Sequence, residues 1–328
     1  MNYAKIVTLL CLFSSTAVWL PVNARDTASV LMFAGQSREE FSSYINDVCK
    51  MGKECALPYG AAFYTSLDAQ GFDSPHSNAP GDNHQDMWFL SNVYPGLAVQ
   101  IGLWLGPERL PAIANGQYKS KIDALANKLG KLNQDIYLRI GYEFDGPHNR
   151  YSPIEYIKAY KVIAKRMRIE QNVKLVWHSY AMKPTYQERD ILEWYPGDDY
   201  VDWIGLSFFQ VTDEGYHTGP NRGNVISVAQ RKKKPVMIGE ASAIRYTARQ
   251  KTLSGEAYWK YWYQPFFDFI ESNKEIKAVS MINVNWDSQK QHAVLDWGDC
   301  SITADEFVLK NWRKKLGKNY WKFIDDND

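Results

Sequence analysis

Two glutamates stand where an apolar run ends in a charge that packing does not require. Ile136-Tyr137-Leu138-Arg139-Ile140-Gly141 leads into Tyr142-Glu143-Phe144-Asp145-Gly146, and Pro235-Val236-Met237-Ile238-Gly239 leads into Glu240-Ala241-Ser242. Singly, each reads as an ordinary carboxylate in a polar rim. As a pair they suit acid and nucleophile chemistry. Two carboxyls held ~5–5.5 Å apart across a sugar can cleave a glycosidic bond with retention, one protonating the leaving oxygen and the other attacking the anomeric carbon. Such a site must also separate their pKa values, so that one stays protonated while the other is ionised.

The elements that would position them form a regular series. Strand-like apolar runs fall at 30–34, 59–64, 97–103, 135–140, 173–177, 200–206, 235–239 and 276–284. Helical patterns alternate with them at 38–51, 83–93, 119–131, 153–170, 186–195, 221–233 and 256–272, and a last one follows at 303–316. Continuous apolar strands separated by helices predict a parallel sheet covered on both faces. Eight such units predict an α/β protein of the (β/α)8 TIM-barrel class rather than an open doubly wound sheet. Glu143 and Glu240 then close strands four and seven, on opposite sides of the barrel mouth. The stretch 68–85, rich in Gly, Pro, Asn, Asp and Ser, reads as a long loop on that same face. No nucleotide-binding glycine motif follows the first strand, no Lys ends a strand and no His pair does. Those absences weaken the readings as nucleotide-binding sheet, aldolase and metal-dependent hydrolase.

Composition narrows the partners. Lys and Arg number 38 and Asp and Glu 37, a balance that argues against a nucleic-acid partner. Twelve Trp, 21 Tyr and 14 Phe supply many flat apolar faces of the kind that stack on sugar rings. Near the N-terminus Lys5 precedes an apolar stretch to Leu20, and Val22-Asn23-Ala24 offers small residues for processing. The layout is that of a secretory signal peptide, so residues 1–24 are expected to be removed. Residues 25–328 would form one domain, secreted or periplasmic, with no membrane association after cleavage and expected to act as a monomer. Cys49 and Cys55 could pair in an oxidising compartment, leaving Cys300. The six His are scattered and no Cys/His spacing suits zinc, so no metal and no cofactor are expected.

With these residues in view, the chain resembles clan A glycoside hydrolases, and within them family 26, which includes β-mannanases and β-1,3-xylanases. Tyr195-Pro196-Gly197-Asp198-Asp199-Tyr200-Val201-Asp202 is similar to a stretch typical of that family. The nearer likeness is to the β-1,3-xylanase branch. It is carried by Tyr137-Leu138-Arg139 with Tyr142-Glu143, Asp145-Gly146-Pro147, Leu175-Val176-Trp177, and Tyr200-Val201-Asp202-Trp203 with Gly205-Leu206-Ser207. Lys234-Pro235 before Glu240-Ala241-Ser242, and Ile282-Asn283 with Trp286-Asp287-Ser288, complete it. The likeness runs from about Val30 to Leu316. It implies that Glu143 is the acid/base and Glu240 the nucleophile of a retaining enzyme on a β-linked hemicellulose, endo-β-1,3-xylanase first. The alternatives are an endo-β-1,4-mannanase of the same family, or a barrel that binds carbohydrate without cleaving it.

Mannanases of the family have His before the acid/base, whereas this chain has Tyr142, as the β-1,3-xylanases do. Two positions depart from the pattern. Related enzymes supply a Tyr hydroxyl near the end of strand six, where this chain has Phe208-Phe209, and the xylanases carry Asn where Gly239 precedes Glu240. Further candidates for substrate contact are Tyr142, Arg139, Trp177, His178, Phe208, Asn285, Trp286 and Trp104. Arg139 suits holding an ionised Glu240 or a structural ion pair. Trp286, after the last strand, is the foremost sugar platform. Trp259, Trp262 and Phe266 recur at helical spacing and are expected to pack a helix on the barrel.

Overall fold

The eight strand-like runs fold into eight strands: β1 Val30–Ala34, β2 Gly60–Ser66, β3 Ala98–Trp104, β4 Ile136–Ile140, β5 Val173–Ser179, β6 Trp203–Phe208, β7 Val236–Ala241 and β8 Ile276–Met281. Each pairs in parallel with the next, and β8 pairs with β1, which closes the ring. The computed structural model describes residues 29–73, 85–210, 219–244, 253–289, 292 and 295–324. The expected signal segment 1–24, and most of the long loop after β2, lie outside the described residues. Among the described residues no helix is long and apolar enough to cross a membrane.

Strands of period two present alternate residues to the two faces of the sheet. One parity turns outward to the helices: Phe63, Leu138, Trp177, Leu206, Phe208 and Ile238 all belong to the large core between sheet and helices. The other parity fills the barrel. Its lower layer is apolar, with Phe33, Ala98, Tyr137, Val176, Met237 and Ala278 in one cluster. Above it the lining turns polar, and large side chains there depend on glycines opposite. A Cβ on Gly102 would fall 2.5 Å from the Tyr64 ring, and one on Gly239 would fall 3.1 Å from Arg139 Cδ and 3.2 Å from His178 Nε2. At Gly239 a side chain would therefore need Arg139 and His178 to give by a few tenths of an ångström.

The helices are α1 Arg38–Ser43, prolonged by the π-helical turn Tyr44–Val48, α2 Met87–Val93, α3 Leu110–Ala114, α4 Lys119–Gly130, α5 Pro153–Met167 and α6 Arg222–Lys232. Then come α7 Gly255–Tyr258, a π-helical turn Trp259–Tyr263, α8 Gln264–Ser272 and α9 Glu306–Leu316. Asp86, Ser254 and Asp305 cap α2, α7 and α9 by accepting a backbone N–H of the first turn. Trp262 and Phe266 pack on Phe208 of β6, with ring centroids 5.7 and 5.2 Å away, as their helical spacing predicts. One crossover differs from expectation. The helix anticipated at 186–195 is instead a series of 3-10 turns, Tyr186–Glu188, Ile191–Trp194 and Asp198–Tyr200. The backbone leaves the helical region inside the segment, with Gln187 and Glu188 at φ 55° and 56° and Arg189 and Asp190 extended. Cys49 and Cys55 form a disulfide, while Cys300 is buried and outside any disulfide.

Candidate active site

Glu143 reaches the mouth through a strained turn. After β4 the chain passes Gly141 at φ 57° and Glu143 itself at φ 53°, a conformation that costs a non-glycine residue roughly 1–3 kcal/mol. Gly141 suits its place twice over, since a Cβ there would lie 2.8 Å from the Tyr156 ring. The strain is held from outside the turn. Asn149 Nδ2 donates to the carbonyls of Tyr142 (2.9 Å) and Glu143 (3.0 Å), and Phe144 N donates to the carbonyl of His178 (3.2 Å). Asp145, fully buried, accepts from Ser179 Oγ (2.7 Å) and Tyr180 N (2.6 Å), tying this loop to the end of β5. Burial raises the Asp145 carboxyl to about 6 against the pull of those two donors.

Glu240 reaches the same mouth by a different device. Along β7, Met237 faces inward and Ile238 outward, so alternation alone would send Glu240 to the helix side. The register breaks there: Leu206 pairs with Ile238 but Ser207 pairs with Glu240, so one extra residue, Gly239, is inserted. The bulge turns both Gly239 and Glu240 inward and sends Ala241 out to the core.

The two carboxyls are both buried, 6% and 7% exposed, yet differ in their partners. Arg139 Nη1 donates to Glu240 Oε1, and the Tyr64 phenol lies close enough to this carboxylate to favour its ionised form. The guanidinium lies 5.0 Å from the Tyr64 ring centre and 5.3 Å from that of Tyr142, and the two rings meet edge to face at 5.1 Å. Glu143 Oε1 accepts from Ser207 Oγ (2.6 Å), and its Oε2 lies 2.9 Å from Nε2 of the half-exposed His148. Ser207 Oγ is also 3.2 Å from His178 Nε2, while Arg139 Nη1 is 3.1 Å from His178 Nδ1. Burial and the charge of Glu143 raise Glu240 to about 7, with Arg139 and Tyr64 pulling it back. The like charge of Glu143 thus favours a proton shared by the pair over full ionisation of both carboxyls. For His148, burial opposes the charged form, but the hydrogen bond to Glu143 and the surrounding carboxylates outweigh it and raise its pKa. Burial and the nearby Arg139 push His178 well below the usual histidine range, so this ring is neutral.

The site thus assembles Glu143, Glu240, Arg139, His178 and Tyr142 from the sequence-derived candidates. It does not bring in Trp177 or Phe208. Both occupy outward parity positions: Trp177 stacks on Phe144 at 4.3 Å and donates to the Trp194 carbonyl, and Phe208 lies among Trp262, Phe266 and Phe269 beneath the Arg222 guanidinium. These two are core residues, because a strand cannot present neighbouring side chains to one face. Trp104, at the end of β3 on the inward parity, remains partly exposed beside Arg109. Trp286 is 3% exposed and donates to Ser242 Oγ (3.0 Å), two residues past Glu240. Asn285 uses its side-chain oxygen to cap the following turn through Asp287 N. Tyr64, Ser207 and His148 were not singled out from the sequence. The phenol absent at Phe208-Phe209 is supplied instead by Tyr64, from β2. Among the described residues no cluster of His, Cys, Asp and Glu could hold a metal ion.

A closed parallel barrel with two buried, partnered carboxyls at the ends of β4 and β7 defines a glycosidase-type site. The comparisons specify it further. Residues 113–291 match the profile of Glycosyl hydrolase family 26, and the chain belongs to that family. It is 29% identical to a β-1,3-xylanase of Alcaligenes sp over 95% of this chain and 69% of the relative. It is 30% identical to the β-1,3-xylanase TXYA of Vibrio sp over 91% of this chain and 66% of the relative, so it spans about two thirds of each. A family 26 β-mannanase of Bacteroides ovatus shares the fold at TM-score 0.55 and 14% identity, covering 92% of each chain. An endo-β-1,4-mannanase of Cellulomonas fimi does so at TM-score 0.60 and 15% identity, covering 90% of this chain and 72% of that one. The protein is a glycoside hydrolase that acts on polysaccharide, which removes the reading as a barrel that only binds carbohydrate.

Proposed function

We propose that this protein is an exported, retaining endo-β-1,3-xylanase, with Glu143 as acid/base and Glu240 as nucleophile. The observation that carries the mechanism is the asymmetry of the two carboxyl seats. Arg139 is a permanent cation beside Glu240, so the negative charge of the pair is best held there, and the shared proton belongs on Glu143. Glu143 would protonate the glycosidic oxygen as Glu240 attacks the anomeric carbon, releasing the leaving sugar and inverting that centre in a covalent glycosyl-enzyme. Glu143, now ionised, would take a proton from water as the water displaces Glu240, so the product regains its original configuration. Tyr142 and the β-1,3-xylanase relatives favour xylan as substrate. The disulfide Cys49–Cys55 suits an oxidising compartment and hence export of the chain.

The test is hydrolysis of β-1,3-xylan, β-1,4-mannan, β-1,4-xylan and β-glucan, with products separated by chromatography and the first-formed anomer read by NMR. Short β-1,3-xylooligosaccharides of the β-anomer are expected. Release from β-1,4-mannan alone would move the substrate to the runner-up, which the mannanase folds among the structural relatives keep in view. An α-anomer as first product would overturn retention.

A further inference from the structure

The Glu143 seat contains a directional chain that the acid/base role does not itself require. His178, fully buried in β5, lies in a slot made by two glycines. A Cβ on Gly205 would come within 2.9 Å of it, and one on Gly239 within 3.2 Å. Its Nδ1 is 3.1 Å from Arg139 Nη1. A guanidinium N–H only donates, so Nδ1 must accept, and in a neutral ring the proton then sits on Nε2. Nε2–H points at Ser207 Oγ, 3.2 Å away, and that contact occupies an acceptor site of the hydroxyl. The hydroxyl proton is left to Glu143 Oε1, 2.6 Å away.

We propose that Ser207, oriented by His178, is a positioning residue that decides which oxygen of Glu143 carries the catalytic proton. Oε1 is held as an acceptor, so in the protonated acid the proton resides on Oε2, and half-exposed His148, whose Nε2 lies 2.9 Å away, is then the neutral acceptor. All bonds in the network run outward from Arg139, one directly to Glu240 and the other through His178 and Ser207 to Glu143. A chain whose two ends both accept cannot pass a proton from one carboxyl to the other without reversing its bonds. It therefore keeps the acid and the nucleophile distinct although they share one proton. The inference rests on the proposed acid/base role of Glu143.

Ser207→Ala tests it, with Ser207→Thr as the variant that keeps a hydroxyl, and with melting temperatures recorded for both. The other charged or titratable groups around Glu143, namely Glu240, Arg139, His148, Asp145 and Tyr142, are unchanged in these variants. Losing a donor to the carboxylate raises the acid's pKa, so the alkaline limb of kcat/KM should move to higher pH in Ser207→Ala. On a β-1,3-xylooligosaccharide kcat should fall about tenfold. On an aryl β-xyloside with a good leaving group, the glycosylation step should fall far less. Ser207→Thr should restore the wild-type limb. An unmoved limb with equal losses on both substrates would overturn the inference and leave the Glu143 reading intact. If Glu143→Ala cleaves the oligosaccharide as well as the wild type does, the underlying reading itself fails.

Discussion

The seats of Glu143 and Glu240 solve the same problem in opposite ways. Glu143 is aimed by a loop: its backbone is in a strained left-handed conformation, and Asn149 and the buried Asp145 hold that loop in place. Glu240 is aimed by a strand, through a bulge at Gly239 inside the hydrogen-bonded barrel. Their electrostatics follow the same division. A permanent cation on the rigid β4 supports Glu240, whereas Glu143 is met by a hydroxyl and an imidazole. A group that must hold one charge and attack from one position gains from a fixed partner. A group that must give up and regain a proton gains from partners that tolerate both states.

The sharpest break of the comparison is to remove each carboxyl. Glu143→Ala should lose about 10²–10⁴-fold on polysaccharide yet keep glycosylation of activated aryl glycosides, which need no protonation. Glu240→Ala should lose more on both, and added azide should restore turnover with an inverted product. The same response of both variants to azide and to leaving group would contradict the assigned roles.

Next in size is Arg139→Ala. It leaves Glu240 buried without its cation, which should cost about 3–5 kcal/mol of stability and lower kcat by disfavouring the ionised nucleophile. The sign in pH follows from the site. In the wild type, activity needs one proton on the pair and should fall on the alkaline side once that proton is lost. Without Arg139 the pair holds its proton to higher pH, so the alkaline limb should move up. A limb that stays in place would mean that Arg139 does not set the charge on Glu240.

Tyr64→Phe removes the phenol hydroxyl that favours the ionised nucleophile and nothing from Glu143. About tenfold loss in kcat is expected, from the ~1.5–3 kcal/mol typical of hydrogen bonds to charged groups. Unchanged kinetics would assign the whole support of Glu240 to Arg139. The smallest effect on activity belongs to Phe208→Tyr. The new hydroxyl would be added on the helix side, among Trp262, Phe266 and Phe269, so kcat should hold while stability falls by ~1–3 kcal/mol from overpacking. A gain in kcat with an unchanged melting temperature would place Phe208 at the mouth after all.

Much of this was legible along the chain. The barrel, both glutamates and the aromatic stripe of Trp259, Trp262 and Phe266 follow from apolar periodicity and from charges at the ends of buried runs, which depend only on local order. Alternation also separates His178 from Trp177 and Ser207 from Phe208, once one residue of each strand is known to face inward. That parity is anchored by the buried layer of Phe33, Tyr137, Val176 and Met237, which continuous apolar runs do not distinguish from their outward neighbours. The expected helix at 186–195 gave way to short turns because its backbone breaks at Gln187–Asp190, where Asp190 caps a new turn through Leu192 N.

What the order of residues determined, then, is which side chains are available at the ends of which strands. Their meeting is a property of closure. Tyr64 and Glu240 are 176 positions apart (240 less 64) on strands that are not neighbours, and only the closed barrel brings them into contact. The inward turn of Glu240 depends on a bulge seen only where β7 pairs with β6. A glycine in a strand marks a place where the backbone can yield or a neighbour can approach. Whether Gly239 yields to a bulge, to Arg139 or to His178 is decided by the side chains that the other strands deliver, and here it yields to all three.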